Sequence, residues 1–222
     1  MTFSILAMDQ ATGMIGGAAA TGNLAVGGWV LRAASGTGAV ATQGYSVSPL
    51  WGDRALSLLG DGVSAQEVVD RVTGEDSGRE YRQLSVLDRT GGVAAWTGQS
   101  NNDAKDHILG AGFVVAGNWL TNCTLLEKMA ETYISTDATV SPEFGCRLID
   151  VLRAGTLAGG DARGIMSAAI RTVHPKCPPV DLRVDYDDDP LKRLRMIYDM
   201  VMSEPYLGWT KGVPTDEDPY RC

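Results

Sequence analysis

The first 45 residues read as strand after strand joined by glycine-rich turns, and this run constrains the fold more than any other feature of the chain. Thr2 to Met8, TFSILAM, is a short apolar run of one strand's length. Asp9-Gln10-Ala11-Thr12-Gly13 reads as the hairpin turn that follows, with glycine at its end. Met14 to Ala20 returns as a second strand. Its Gly16-Gly17-Ala18-Ala19-Ala20 has little side-chain bulk, so another layer or a ligand can come close. Gly38 to Gln43 is a third strand, and the segment through Tyr45 is read as β throughout.

Helices then arrive in pairs. Ser48-Pro49 puts a cap before a proline at the first helical position, with Ala55, Leu56 and Leu59 as the apolar face and Gly60 and Gly62 as the stop. Ser64-Ala65-Gln66-Glu67 is a capping box that opens a second helix ending at Gly74. A hairpin follows, Gln83 to Asp88 and Val93 to Thr97, then a polar loop from Gln99 to Gly112 and a strand from Phe113 to Gly117. Thr124 to Ile134 and Glu143 to Arg153 are two amphipathic helices; Ser141-Pro142 starts the second and Gly155 ends it. Ile165 to Val173 and Val180 to Tyr186 are strands joined by a rigid Pro175–Pro179 connection. Asp189-Pro190 caps a closing helix to about Met202. Strands in runs and helices in runs suit an α+β fold of antiparallel sheets with helices segregated on the outer faces, and no βαβ alternation appears. One domain over residues 1–203 is expected, followed by an extended arm at 204–222 that carries Tyr206 and Trp209.

A chain of 222 residues buries roughly 70–75% of its unfolded surface, enough to hold together without metal or disulfides. The net charge of −8 argues against nucleic acid and against an anionic membrane surface as partners. No apolar run reaches the ~20 residues of a membrane span, and no basic segment precedes an apolar one at the start. A cytoplasmic protein with reduced thiols at Cys123, Cys146, Cys177 and Cys222 is expected. The acidic run Asp185 to Asp189 fits no calcium-loop spacing and suits the start of a helix, so no metal site and no cofactor are expected.

Thr2 is the first candidate for chemistry. With Met1 removed, its α-amine, of reference pKa about 7.7–8.0, lies beside its own hydroxyl and can accept the hydroxyl proton. Nucleophile and base then share one residue. Position alone argues little, because many chains begin Met-Thr. Other polar residues offer supporting roles. Asp161 and Arg163 sit in a glycine-rich turn, as a pair that orients Thr2 or binds a substrate carboxylate, or as an ion pair that fixes the turn. Asn118 is an oxyanion donor or a turn residue bonded to its own backbone. Gln43, Tyr45 and Ser46 follow a buried strand and either line a pocket or end the strand. His107, in a loop with Asp103, Lys105 and Asp106, reads as a solvated histidine.

Several segments in order carry a resemblance. They are Thr2-Phe3-Ser4-Ile5, Leu24-Ala25-Val26-Gly27, Gly38 to Gln43, Trp96-Thr97-Gly98, Gly117-Asn118, Gly159 to Gly164 running into Ser167-Ala168-Ala169, and Val180 to Asp185. From Thr2 to about Tyr198 the chain resembles the bacterial family catalogued as domain of unknown function one-zero-two-eight, placed in the N-terminal-nucleophile (Ntn) hydrolase superfamily. The resemblance implies a four-layer αββα sandwich with Thr2 at the mouth between the sheets. It also implies amide hydrolysis in which the nucleophile's hydroxyl, here that of Thr2, forms an acyl-enzyme; Asp161, Arg163 and Asn118 are the candidate catalytic residues beside it. Gln43, Tyr45, Ser46, Thr21 and Thr97 would bind a small-molecule substrate. The chain departs from the family pattern at Thr21-Gly22, at Asp106 before the histidine and at Ala116 before Gly117-Asn118. The alternative is a binding or assembly protein that keeps the fold without the chemistry. A homodimer or higher homo-oligomer is expected, through Trp29, Trp51, Trp119 or the C-terminal arm.

Overall fold

Alternation in the opening strand decides how the layers stack. In β1 (Thr2–Met8), Phe3, Ile5 and Ala7 join a core shared with helices, whereas Leu6 and Met8 join a core shared with a second sheet. A strand with both faces buried has to lie inside a layered sandwich. The structure is a computed structural model that describes residues 2–102, 104–136, 143–160 and 164–222.

β1 lies inside a six-stranded antiparallel sheet with β2 (Ile15–Thr21), β7 (Asp106–Gly110), β8 (Phe113–Asn118), β9 (Ser167–His174) and β10 (Cys177–Val184), in the order β10-β9-β2-β1-β8-β7. The second sheet holds β3 (Leu31–Ala34), β4 (Gly38–Gly44), β5 (Arg82–Asp88) and β6 (Val93–Thr97) in the order β3-β4-β5-β6. Helices α4 (Thr124–Ser135), α5 (Phe144–Leu157) and α6 (Pro190–Val201) cover the outer face of the first sheet, with Leu125, Met129, Leu148, Leu152 and Leu194 packed against Phe3, Ile5 and Val115. Helices α2 (Pro49–Gly60) and α3 (Ala65–Gly74) cover the second through Trp51, Ala55, Val68 and Val72 against Val40, Leu84 and Val86. Between the sheets lie Leu6, Ala19, Val114 and Ala169 from one side and Leu31, Ala39, Ala41 and Leu87 from the other. The order α, β, β, α is therefore observed, as expected.

β2 is thin because it has to be. A Cβ on Gly17 would lie 2.7 Å from the carbonyl oxygen of Ile5, so no larger residue fits against β1 there. Gly13, at φ +78°, closes the β1–β2 hairpin as expected.

Several elements differ from the sequence reading. The first 45 residues include a short helix, α1 (Val26–Trp29), and the strand β3. The expected polar loop from Gln99 to Gly112 contains edge strand β7, whose exposed Asp106 and Leu109 hide the alternation. Gly155 does not end α5, which runs on to Leu157. A Cβ there would come within 3.0 Å of Met129, so the glycine lets α5 lie close to α4. Pro178 and Pro179 stand inside β10, with a register shift between Cys177 and Val180. An edge strand tolerates the missing donors. The arm beyond 203 contains a short helix, α7 (Tyr206–Thr210), instead of being extended throughout. Asp189 does cap α6, its carboxylate accepting from the Lys192 backbone N–H at 3.2 Å. The expected helix start at Ser141-Pro142 lies outside the described residues. Among the described residues no helix is long and apolar enough to cross a membrane.

Candidate active site

Pairing register gathers the polar residues at one end of the sandwich. Thr2 lies opposite Thr21 on β2 and opposite Asn118 on β8, and Thr21 lies opposite Ser167 on β9. Directly opposed residues share a face, so these form one row across the first sheet. In the second sheet Gln43 lies opposite Gln83, and Gln83 opposite Thr97. Because Leu6 and Leu87 face the inter-sheet core, the period of two turns Thr2, Ser4, Gln83 and Ser85 the same way. Two polar rows thus face each other across the gap.

Hydrogen bonds tie the rows together. The Ser4 hydroxyl donates to Gln43 Oε1 at 2.9 Å, and Gln43 Nε2 donates to Gln83 Oε1 at 3.0 Å. Asn118 Nδ2 donates to the same oxygen at 2.9 Å. Gln83 Nε2 has the Gly117 carbonyl at 2.8 Å, Thr97 Oγ1 at 3.0 Å and the Asp106 carbonyl at 3.3 Å within reach. Gln83 is 1% exposed. A buried amide with every polar atom engaged holds two sheets in register, whereas one left unpaired would be costly. Thr97 Oγ1 also lies 2.9 Å from His107 Nδ1. Burial holds the His107 imidazole below the usual histidine range, and the neighbouring Asp106 carboxylate offsets only part of that. His107 is therefore a half-buried strand residue with a side-chain partner, not a solvated loop histidine.

Beside the network a cavity of about 390 Å³ opens at Thr2. The half-buried Thr2 lines it, its Oγ1 3.0 Å from Thr21 Oγ1. Thr21, Asn23 and Gln43 add polar groups. Leu24, Trp29, Val30 and Val47 supply apolar wall, and Tyr45 stands at the rim, 68% exposed. The α1 side of the wall is pinned. Ser167 Oγ donates to the Asn23 carbonyl at 2.7 Å and accepts from the Val26 N–H at 3.1 Å. The Thr42 N–H and hydroxyl donate to the carbonyls of Val30 and Trp29 at 3.0 and 3.2 Å. On the other side Asn101 Oδ1 accepts from the Tyr45 N–H at 2.8 Å. The two described non-glycine residues with positive φ, Ala25 and Trp119, both at 55°, flank this end. Ala25 lines the cavity and Trp119 directly follows Asn118.

The structure thus brings Thr2, Thr21, Gln43 and Tyr45 to one cavity. Asn118 and Thr97 do not line it and serve in the network beneath. Ser46 is exposed beyond the rim, its N–H bonded to the Tyr81 carbonyl at 3.1 Å. Asp161 and Arg163 lie outside the described residues. Gln83, Ser4 and Asn101 were not singled out from the sequence. For Gln83 and Ser4 the available signal was a polar side chain in phase with the inward positions of a buried strand.

Residues 2–194 match the model of a family described as Family of unknown function (DUF1028). The crystal structure of protein SPO2555 from Silicibacter pomeroyi, assigned to that same family model, is similar with a TM-score of 0.93 and 43% identity, over 99% of this chain and 94% of that one. Anbu (ancestral beta-subunit) from Yersinia bercovieri aligns over 96% of this chain and 98% of its own at a TM-score of 0.39 and 11% identity, a likeness that carries no argument. No curated protein matches.

Proposed function

The chain belongs to the DUF1028 family of unknown function, and we propose that it is an N-terminal-nucleophile amidohydrolase that cleaves a small non-peptide amide with Thr2 after removal of Met1. The observation that carries this reading is the place of Thr2. It is the first residue of a central strand, with its hydroxyl at the mouth of a cavity between two sheets.

In the proposed reaction the Thr2 amine takes the proton of Oγ1, and Oγ1 attacks the amide carbonyl carbon. Collapse of the tetrahedral intermediate breaks the C–N bond, and the leaving nitrogen takes the proton from the ammonium. An ester to Thr2 remains. Water then gives a proton to the amine and attacks the ester carbonyl; the C–O bond breaks, Oγ1 regains its proton, and a carboxylic acid leaves. Thr21 Oγ1, 3.0 Å from the nucleophile, orients it. Asp161 and Arg163 are proposed as the pair that positions Thr2.

One observation favours a second reading, a binding protein without catalysis. Asn118, the residue expected to donate to an oxyanion, gives an amide hydrogen to Gln83 and does not line the cavity. Intact-mass measurement on protein from its native host, followed by screening of small amides against the wild type and Thr2→Ala, separates the two. Protein that starts at Thr2 and turns over an amide, with loss of at least a thousandfold in Thr2→Ala, is expected. Retention of Met1 throughout, or unchanged turnover in Thr2→Ala, refutes the reading.

A further inference from the structure

We infer that the cavity beside Thr2 takes amides whose acyl group is uncharged and apolar, a medium aliphatic chain or a single aromatic ring. This rests on the reading of Thr2 as the nucleophile and adds the substrate class.

Size comes first. The cavity of about 390 Å³ is at the small end of the ~300–1,000 Å³ typical of small-molecule sites. At the ~30 Å³ share of one water in the liquid it holds about a dozen water-sized groups. That suits a phenylacetyl or hexanoyl group and excludes a folded peptide.

Charge comes second. None of the described residues that line the cavity is charged. Thr2 and Thr21 bond to each other, and Gln43 is engaged by Ser4 and Gln83, so these polar groups are already committed. A carboxylate or ammonium drawn into this space would lose water and meet no described side-chain counter-charge, and the Thr2 amine supplies none in the neutral form in which it acts as base, whereas an apolar group loses nothing. Leu24 and Trp29, each about half exposed, offer apolar surface that such a group would cover.

Preorganisation comes third. Ala25 is held in a left-handed conformation that an alanine rarely adopts, and its N–H donates to the Asp185 carbonyl at 3.0 Å. With Ser167 anchoring Asn23 and Val26, the wall stands ready before a ligand arrives.

Binding can be read without turnover. Quenching of tryptophan fluorescence by phenylacetamide and hexanamide is compared with that by the anionic succinamate and the cationic β-alaninamide; Trp29→Phe assigns the signal to the cavity. The uncharged amides are expected to bind at least tenfold more tightly, with the response lost in Trp29→Phe. Val47→Lys, at the cavity wall, is expected to reverse the order of phenylacetamide and succinamate. Equal or tighter binding of succinamate or β-alaninamide to the wild type overturns the inference, as does failure of both neutral amides to bind. Tighter succinamate binding lost in Arg163→Gln would identify Arg163 as a carboxylate receptor and overturn it equally. The two readings fail separately. Binding of neutral amides with no Thr2-dependent turnover refutes the nucleophile alone, and Thr2-dependent turnover confined to charged amides refutes the substrate class alone.

Discussion

Gln83→Leu tests whether the amide network holds the two sheets at the correct spacing. The Gln83 oxygen accepts from two side-chain amides. Its nitrogen carries two hydrogens for three acceptors, and the two nearer ones, the Gly117 carbonyl at 2.8 Å and Thr97 at 3.0 Å, take them. Four full hydrogen bonds are lost, while leucine keeps nearly the same volume and opens no large void. At about 0.5–1.5 kcal/mol net for each bond the loss is about 2–6 kcal/mol, with about 4 as the central value. For a chain of this length, about 2–4 °C per kcal/mol converts this to a melting temperature lower by about 8–16 °C. Thermal unfolding followed by far-UV circular dichroism reads the shift. A fall of less than 3 °C would refute the assignment of Gln83 as the tie between the sheets, because stranded donors at Gln43 and Asn118 cannot be that inexpensive in a dry interior.

Two further perturbations lie away from the cavity. Asp9 and Arg147, about nine-tenths buried, form an ion pair at 3.3 Å, with the guanidinium over the Tyr133 ring. Asp9→Ala should cost about 3–5 kcal/mol in urea unfolding, and the double change Asp9→Ala with Arg147→Met should recover most of that. Because burial lowers the His107 pKa, the unfolded chain binds this proton more readily than the folded one. The resulting loss of stability begins as pH falls below about 6.5 and is complete below the folded-state value. Stability measured from pH 8 to pH 5 should therefore fall less steeply in His107→Gln than in the wild type; identical slopes would refute the assignment.

Where side-chain periodicity and turn chemistry act locally, the sequence was readable. The β1–β2 hairpin, the cap at Ser64, the cap at Asp189 and the paired helices all follow from residues close together. What was not readable depends on neighbours distant in the chain. Gly155 marks a helix stop locally, yet it permits the approach of Met129. His107 borders a polar stretch, yet Thr97 and the half-buried edge of β7 give it a dry setting. Thr2 was legible as a candidate because its chemistry is carried on one residue. Gln83 was not, because a glutamine in a strand declares nothing until Gln43, Asn118 and Gly117 surround it.

β1 enters the sheet at its first described residue, between a partner only a short hairpin away and one that begins at Phe113. On a ribosome the second partner emerges about 100 residues later, roughly 5–20 s at ordinary rates of synthesis. Through that interval β1 can form only half of its pairings, and its leading end stays accessible to processing enzymes. Afterwards Thr2 is paired on both sides. The order in which strands appear therefore gives the proposed removal of Met1 a window during synthesis in which Thr2 still lacks its β8 neighbour.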